Sequence, residues 1–178
     1  GRKMPLCFFN VINGGLHAPS TALRASLPFQ EYMFVPQFDK PSENLNSVML
    51  LLKILGDKIQ DKYEHLIMGD EGGYEVPEKD PEIGLAILKE VMEESGQING
   101  KLSLDVAASS FYKNGLYNVG DKTYLKIDLL DLYSSIINQY SVLSVEDPFD
   151  ENDVDEFIKI MQSLTKIQEE NWLISRLP

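Results

Sequence analysis

Apolar residues recur along this chain in two rhythms, one of short runs and one of helical spacing. Leu6 to Ile12 is a short apolar run closed by Asn13-Gly14-Gly15, which predicts a strand and then a tight turn. Glu31 to Val35 predicts a second short strand, stopped by Pro36. Pro41-Ser42 opens a long helix, because Val48, Leu51, Leu52, Leu55 and Ile59 follow the 3.6-residue period. A second helix has its own start and stop signals. Asp80 can cap, Pro81 suits the first helical position, Glu82 favours the positive end of the dipole, and Gly96 can terminate. Leu102 to Ala107 predicts a buried strand. Leu129, Leu132, Tyr133, Ile136, Ile137 and Tyr140 share a helical face, and Val142 to Val145 is another strand ended by Glu146-Asp147-Pro148. Val154, Phe157, Ile158, Met161 and Leu164 predict one more amphipathic helix, and Trp172 to Ile174 a last strand.

The order is strand, strand, helix, helix, then an alternation of strands and helices. Apolar strands alternating with helices predict an α/β fold with a parallel sheet covered by helices. Polar residues gather just after the strands, and in β/α barrels that end carries the active site. There is no internal repeat, low-complexity tract or linker, so residues 1–178 read as one domain unit.

Composition narrows the classes. The 178 residues are 43% hydrophobic and 25% charged, which suits a folded globular chain and not a disordered one. A formal net charge of −12 argues against nucleic-acid binding, which needs clustered Lys and Arg. No apolar stretch reaches the roughly 18 residues of a membrane span. The single cysteine, Cys7, allows no internal disulfide, is expected to be a small buried hydrophobe, and fits a reducing compartment. The opening Gly-Arg-Lys-Met is neither an initiator methionine nor a signal peptide, so the chain is expected to be cut from something longer, or processed.

Four segments could carry chemistry, and each has a bland alternative. In Asn10-Val-Ile-Asn-Gly-Gly-Leu-His17-Ala18 the glycines allow close approach and His17 could touch an anion; the alternative is a solvated loop histidine. In Gly69-Asp70-Glu71-Gly72-Gly73 a buried carboxyl could exchange a proton; the alternative is an exposed acidic turn. Asp105 ends an apolar strand, where a carboxylate is costly unless paired or bound to metal. Glu146 and Asp147 end the next strand, where they also suit the start of a helix. Asp105 and Glu146 occupy equivalent places on consecutive parallel strands. Hard oxygen ligands converging there suit Mg²⁺, and Glu71 and His17 would approach the same mouth.

NVINGGLHA at 10–18, PFQEYM at 28–33, GDEGG at 69–73, LDVAAS at 104–109 and SVEDPF at 144–149 resemble enolase in order and spacing. The resemblance covers nearly the whole chain. It implies a partial enolase-type β/α (TIM) barrel, roughly its first half, with the strand-strand-helix-helix start. It implies Mg²⁺-dependent dehydration of 2-phosphoglycerate to phosphoenolpyruvate in glycolysis, a cytoplasmic location and a homodimer. The enolase superfamily is itself a standard case of a Lys or His base assisted by one or two Mg²⁺ ions, so that chemistry belongs to the family. On the resemblance Glu71 is the general acid, and Asp105 and Glu146 are two of three metal carboxylates. His17 and Glu31 contact substrate, and Glu146 faces both metal and substrate.

The resemblance also has gaps. The family's small N-terminal α+β domain and the lysine base of the second half of the barrel have no match. Lys101, Lys113 and Lys126 fall at loop-like positions that do not fit that lysine. Ser175 or Arg176 stands where an Asp-Asp pair is expected, and Ser110 where an acid is common. Three readings follow. The chain is part of an active enolase, or a naturally truncated non-catalytic enolase-like interaction protein, or a superfamily enzyme acting on another carboxylate. NVINGGLHA together with GDEGG favours enolase proper. A half barrel leaves strand edges open, so the chain alone is expected to be marginal or self-associating.

Overall fold

The computed structural model describes residues 5–17, 25–69, 71–97, 99–155 and 157–159. Eleven elements follow one another in these residues. They are β1 (Phe9–Asn13), β2 (Glu31–Val35), α1 (Pro41–Tyr63), β3 (Tyr74–Glu75), α2 (Pro81–Glu94), β4 (Lys101–Asp105), β5 (Tyr112–Lys113), β6 (Leu116–Val119), β7 (Lys122–Tyr124), α3 (Lys126–Tyr140) and β8 (Val142–Glu146). Short 3-10 turns lie at Gly15–His17 and Ala108–Phe111.

The caps explain where the helices begin. The Asp80 carboxylate accepts a hydrogen bond from the Glu82 N–H at 2.9 Å, and Pro81 opens α2. Gly96 follows α2 at φ +71°, the left-handed conformation that ends a helix cheaply. Lys40 gives α1 no side-chain cap. Instead Asn44 clamps the preceding turn, accepting from Phe38 N–H at 3.0 Å and donating to Phe38 C=O at 3.1 Å.

The main sheet runs in the order β3-β1-β2-β4-β8 and is not closed among the described residues. β1 and β2 are antiparallel, β2 and β4 are antiparallel, and β4 and β8 are parallel. The helices cover one side. Leu51, Leu55 and Ile59 of α1, Leu85, Leu88 and Val91 of α2, and Leu129, Tyr133 and Ile136 of α3 join Phe34, Leu104 and Val145 in one buried core. Tyr32 tethers sheet to helix, its hydroxyl donating to Pro81 C=O at 3.0 Å.

Several expectations need correction. The first strand begins at Phe9, the first residue with a partner on β2, and not at Leu6. Cys7 therefore lies in irregular chain and is only partly buried. A second, antiparallel sheet, β5-β6-β7, sits between β4 and α3 and was not foreseen. Lys101 opens β4, Lys113 lies in β5, and Lys126 opens α3 and bonds Asp153, so none of them is a loop residue. The expected strand at Trp172, the helix beyond Lys159, and Ser175 and Arg176 lie outside the described residues.

Candidate active site

Strand register builds the site. Asn13 pairs with Glu31, Glu31 with Asp105, and Asp105 with Glu146. Directly opposed residues share a face of the sheet, with Cβ atoms roughly 4.5–5.5 Å apart. Three carboxylates therefore stand in one row across three neighbouring strands. Like charges so opposed repel, and the row carries the signature of that repulsion. Burial, a hydrogen bond with Glu71 and the charges of Asp105, Glu71 and Glu146 push Glu31 up to about 7. Burial also raises Asp105, helped by Asp147, while the Ala107 N–H and Gln30 pull it back. Glu146 is raised by burial and by its neighbours Asp105 and Asp147.

Loops deliver the rest. The 3-10 turn after β1 places His17 Nδ1 2.8 Å from Glu71 Oε2 and 3.4 Å from Glu31 Oε1. One ligand atom from each of His17, Glu31 and Glu71 lies within 4.8 Å of the others, a spacing that would also hold a cation. Asn10 Nδ2 donates to Glu71 Oε2 at 3.3 Å. Gln30 Nε2 donates to Asp105 Oδ2 at 3.3 Å, and Ala107 N–H to Asp105 Oδ1 at 3.0 Å. All five predicted residues, His17, Glu31, Glu71, Asp105 and Glu146, thus meet at one end of the sheet.

Beyond the strand ends, Ala107 and Asp147 both adopt left-handed backbone, at φ +46° and +44°. Ala108 N–H donates to Asp147 C=O at 3.0 Å, so the two kinks are stitched together. A groove of about 610 Å³ opens beside them, lined by Gln30, Ser109, Ser110, Asp147 and Asn152 among others. A second cavity, about 450 Å³, lies beside β7 and the start of α2 and contains none of the predicted site residues.

A family model described as Enolase, C-terminal TIM barrel domain, matches residues 2–170. The chain belongs to the enolase C-terminal barrel family. It is similar to the enolase of Methanopyrus kandleri, 40% identical over 171 residues, covering 92% of this chain and 39% of that protein. It is similar to the enolases of Aeropyrum pernix, 34% identical over 92% of the chain, and Thermococcus gammatolerans, 38% identical over 90%. These matches take in 38% of each of those two relatives. The chain therefore spans about two-fifths of the length of the enolases it resembles. The unclosed sheet is a partial enolase barrel, and the antiparallel β1–β2 pair is its strand-strand start.

Sequence reasoning missed Asn10, Asn13 and Gln30 as parts of this site. Asn13 reads from sequence as the head of an Asn-Gly turn, and only its buried position beside the carboxylate row changes that.

Proposed function

We propose that this chain carries the first half of an enolase active site, for the Mg²⁺-dependent dehydration of 2-phosphoglycerate to phosphoenolpyruvate. The observation that supports it is the carboxylate row Glu31–Asp105–Glu146 with the His17–Glu71 pair at its end. In this reading Asp105 and Glu146 hold Mg²⁺. The fit is chemical: two hard oxygen donors on adjacent strands are raised by burial and, in second place, by neighbouring carboxylates, a cost that a divalent cation would relieve. When bound, the ion stabilises negative charge building on a substrate carboxylate.

This chain supplies the acid side of the proton work, since the family's lysine base has no match in it. Below about pH 7 Glu31 carries a proton, which its hydrogen bond sets beside Glu71. Glu71, the more exposed of the two with its side chain 48% accessible, presents that proton to the leaving hydroxyl as general acid. Glu31 holds the proton in place, and His17 contacts the substrate from the turn above. Gln30 and the Ala107 N–H keep Asp105 aimed along the row. By the family's habit the working enzyme is a cytoplasmic homodimer.

The test uses the native protein that carries this sequence, followed by ultraviolet absorbance of the enol phosphate product. Mg²⁺-dependent turnover that falls about 100-fold or more in Glu71→Gln supports the reading. Mg²⁺ binding without turnover would shift the case to a non-catalytic enolase-like binding protein. No binding of Mg²⁺ by the unaltered protein would sink the Mg²⁺-dependent reading.

A further inference from the structure

We infer that Asn10 and Asn13 are positioning residues that set Glu71 against His17. The inference rests on the proposed roles of those two residues. Asn10 and Asn13 are three apart, so a regular strand would send their side chains to opposite faces. β1 is not regular. Asn10 pairs with Met33 and Ile12 with Tyr32, so Val11 is an extra residue, and the bulge brings both asparagines to the face that carries Glu31. Bulges commonly re-aim side chains beside active sites.

Asn13 is fully buried and works as a peg. Its Nδ2 donates to His17 C=O at 3.1 Å, which ties down the turn carrying the histidine. The loop bearing Glu71 closes around the same amide through Gly69 N–H to Gly73 C=O at 2.8 Å and Gly72 N–H to Gly69 C=O at 3.0 Å. A Cβ on Gly69 would overlap Asn13 Nδ2, and one on Gly73 would overlap Asn13 Oδ1. Both glycines are needed for the loop to sit on the asparagine. Asn10 then completes the arrangement by donating to Glu71 Oε2 at 3.3 Å.

The amides bear a cost that a core residue would avoid. Asn10 Oδ1 and Asn13 Oδ1 are buried with no hydrogen-bond partner among the described residues. An unsatisfied buried acceptor destabilises a fold, whereas leucine, of similar shape, would leave none. What the amides supply and leucine cannot is the pair of donors, one on the His17 turn and one on Glu71.

The test compares Asn10→Ala, Asn13→Ala and Glu71→Gln in the native protein that carries this sequence. Each asparagine variant is expected to lose about 10- to 100-fold in kcat, with KM and the Mg²⁺ requirement within about threefold, because misplacing a catalytic group by a fraction of an ångström is costly. In the Glu71→Gln background the same changes are expected to cost less than about threefold, since they act through Glu71. Full multiplicative loss in the double variants would overturn the inference. Asn10 is only partly buried, so Asn10→Ala decides the matter if Asn13→Ala does not fold. If the unaltered protein turns over no 2-phosphoglycerate, the functional reading falls by itself. Positioning is then decided by nuclear Overhauser contact between the His17 ring and the Glu71 side chain in that native protein, free of metal. That contact should vanish in both asparagine variants, and its survival would overturn the inference.

Discussion

Glu31 is the residue on which the electrostatics of the site turn. Its pKa rises from the ordinary glutamate value of 4.5 to about 7 in the fold, so between those values the folded state binds more protons than the unfolded one. Stability from this group is therefore fully present below about 4.5 and is lost as the pH climbs through 7. Asp105 and Glu146, also raised, act with the same sign. Glu31→Gln is expected to remove most of the decline between pH 5 and pH 8, with a gain on the order of 1–2 kcal/mol at pH 8 after discounting for partial solvation. Denaturant midpoints measured across that pH range check it, and a decline as steep as the unaltered protein's would contradict it. Mg²⁺ should act on the same charges. At about 100 times its dissociation constant it is expected to add roughly 2.7 kcal/mol, and that gain should disappear in Asp105→Asn. Thermal melts with and without Mg²⁺ or a chelator read it directly.

At the scale of elements, the small sheet β5-β6-β7 is a clip on the segment after β8. Tyr117 on β6 is fully buried, and its hydroxyl donates to Asp153 Oδ2 at 2.8 Å and accepts from Asp150 N–H at 2.9 Å. Burial and Asp153 raise its pKa, so it stays a neutral donor at any ordinary pH. Tyr117→Phe strands the Asp150 N–H and one carboxylate oxygen, and is expected to cost about 1–3 kcal/mol by chemical denaturation. The paired kinks at Ala107 and Asp147 predict the opposite sign. Ala107 holds φ +46° without being glycine, so Ala107→Gly should stabilise by up to about 1 kcal/mol where lost strain outweighs added chain entropy. A clear loss of stability would show that the alanine methyl, not the backbone, matters there. The clip itself has readable turn signals. Asn114-Gly115 and Gly120-Asp121 each join strands through two residues, with Asn114, Gly115 and Gly120 at positive φ. Asn-Gly between short strands is a strong hairpin signal, yet these strands are only two to four residues long and their apolar alternation is faint.

At the scale of the whole molecule, the described sheet is part of a barrel with β3 and β8 as its outer strands. Outer strands with unpaired N–H and C=O groups recruit other chains. The isolated 178-residue chain is therefore expected to form dimers or larger species on size exclusion with light scattering. A monomer that also resists protease would count against this. The net charge of −12 sets a second whole-molecule feature. On the proposed reading, the acidic chain repels an anionic substrate unless cations occupy the carboxylate row, so substrate binding is expected to depend on Mg²⁺ beyond simple screening.

The sequence by itself determined the helices, the main strands and the family. Helical periodicity placed α1 and α3, the Asp80-Pro81 start and the Gly96 stop placed α2, and five short motifs named enolase. These are local signals, written in neighbouring residues. The tertiary structure alone decided the rest, because register and bulges depend on pairing between distant segments. Only pairing shows that Glu31, Asp105 and Glu146 share one row, and burial there, with Glu71 and the row's charges added, is what raises Glu31. Only the extra residue at Val11 turns Asn10 and Asn13 to the same face. Only packing reveals that an asparagine readable as a turn former is a buried peg between two glycines some 60 residues away in the chain.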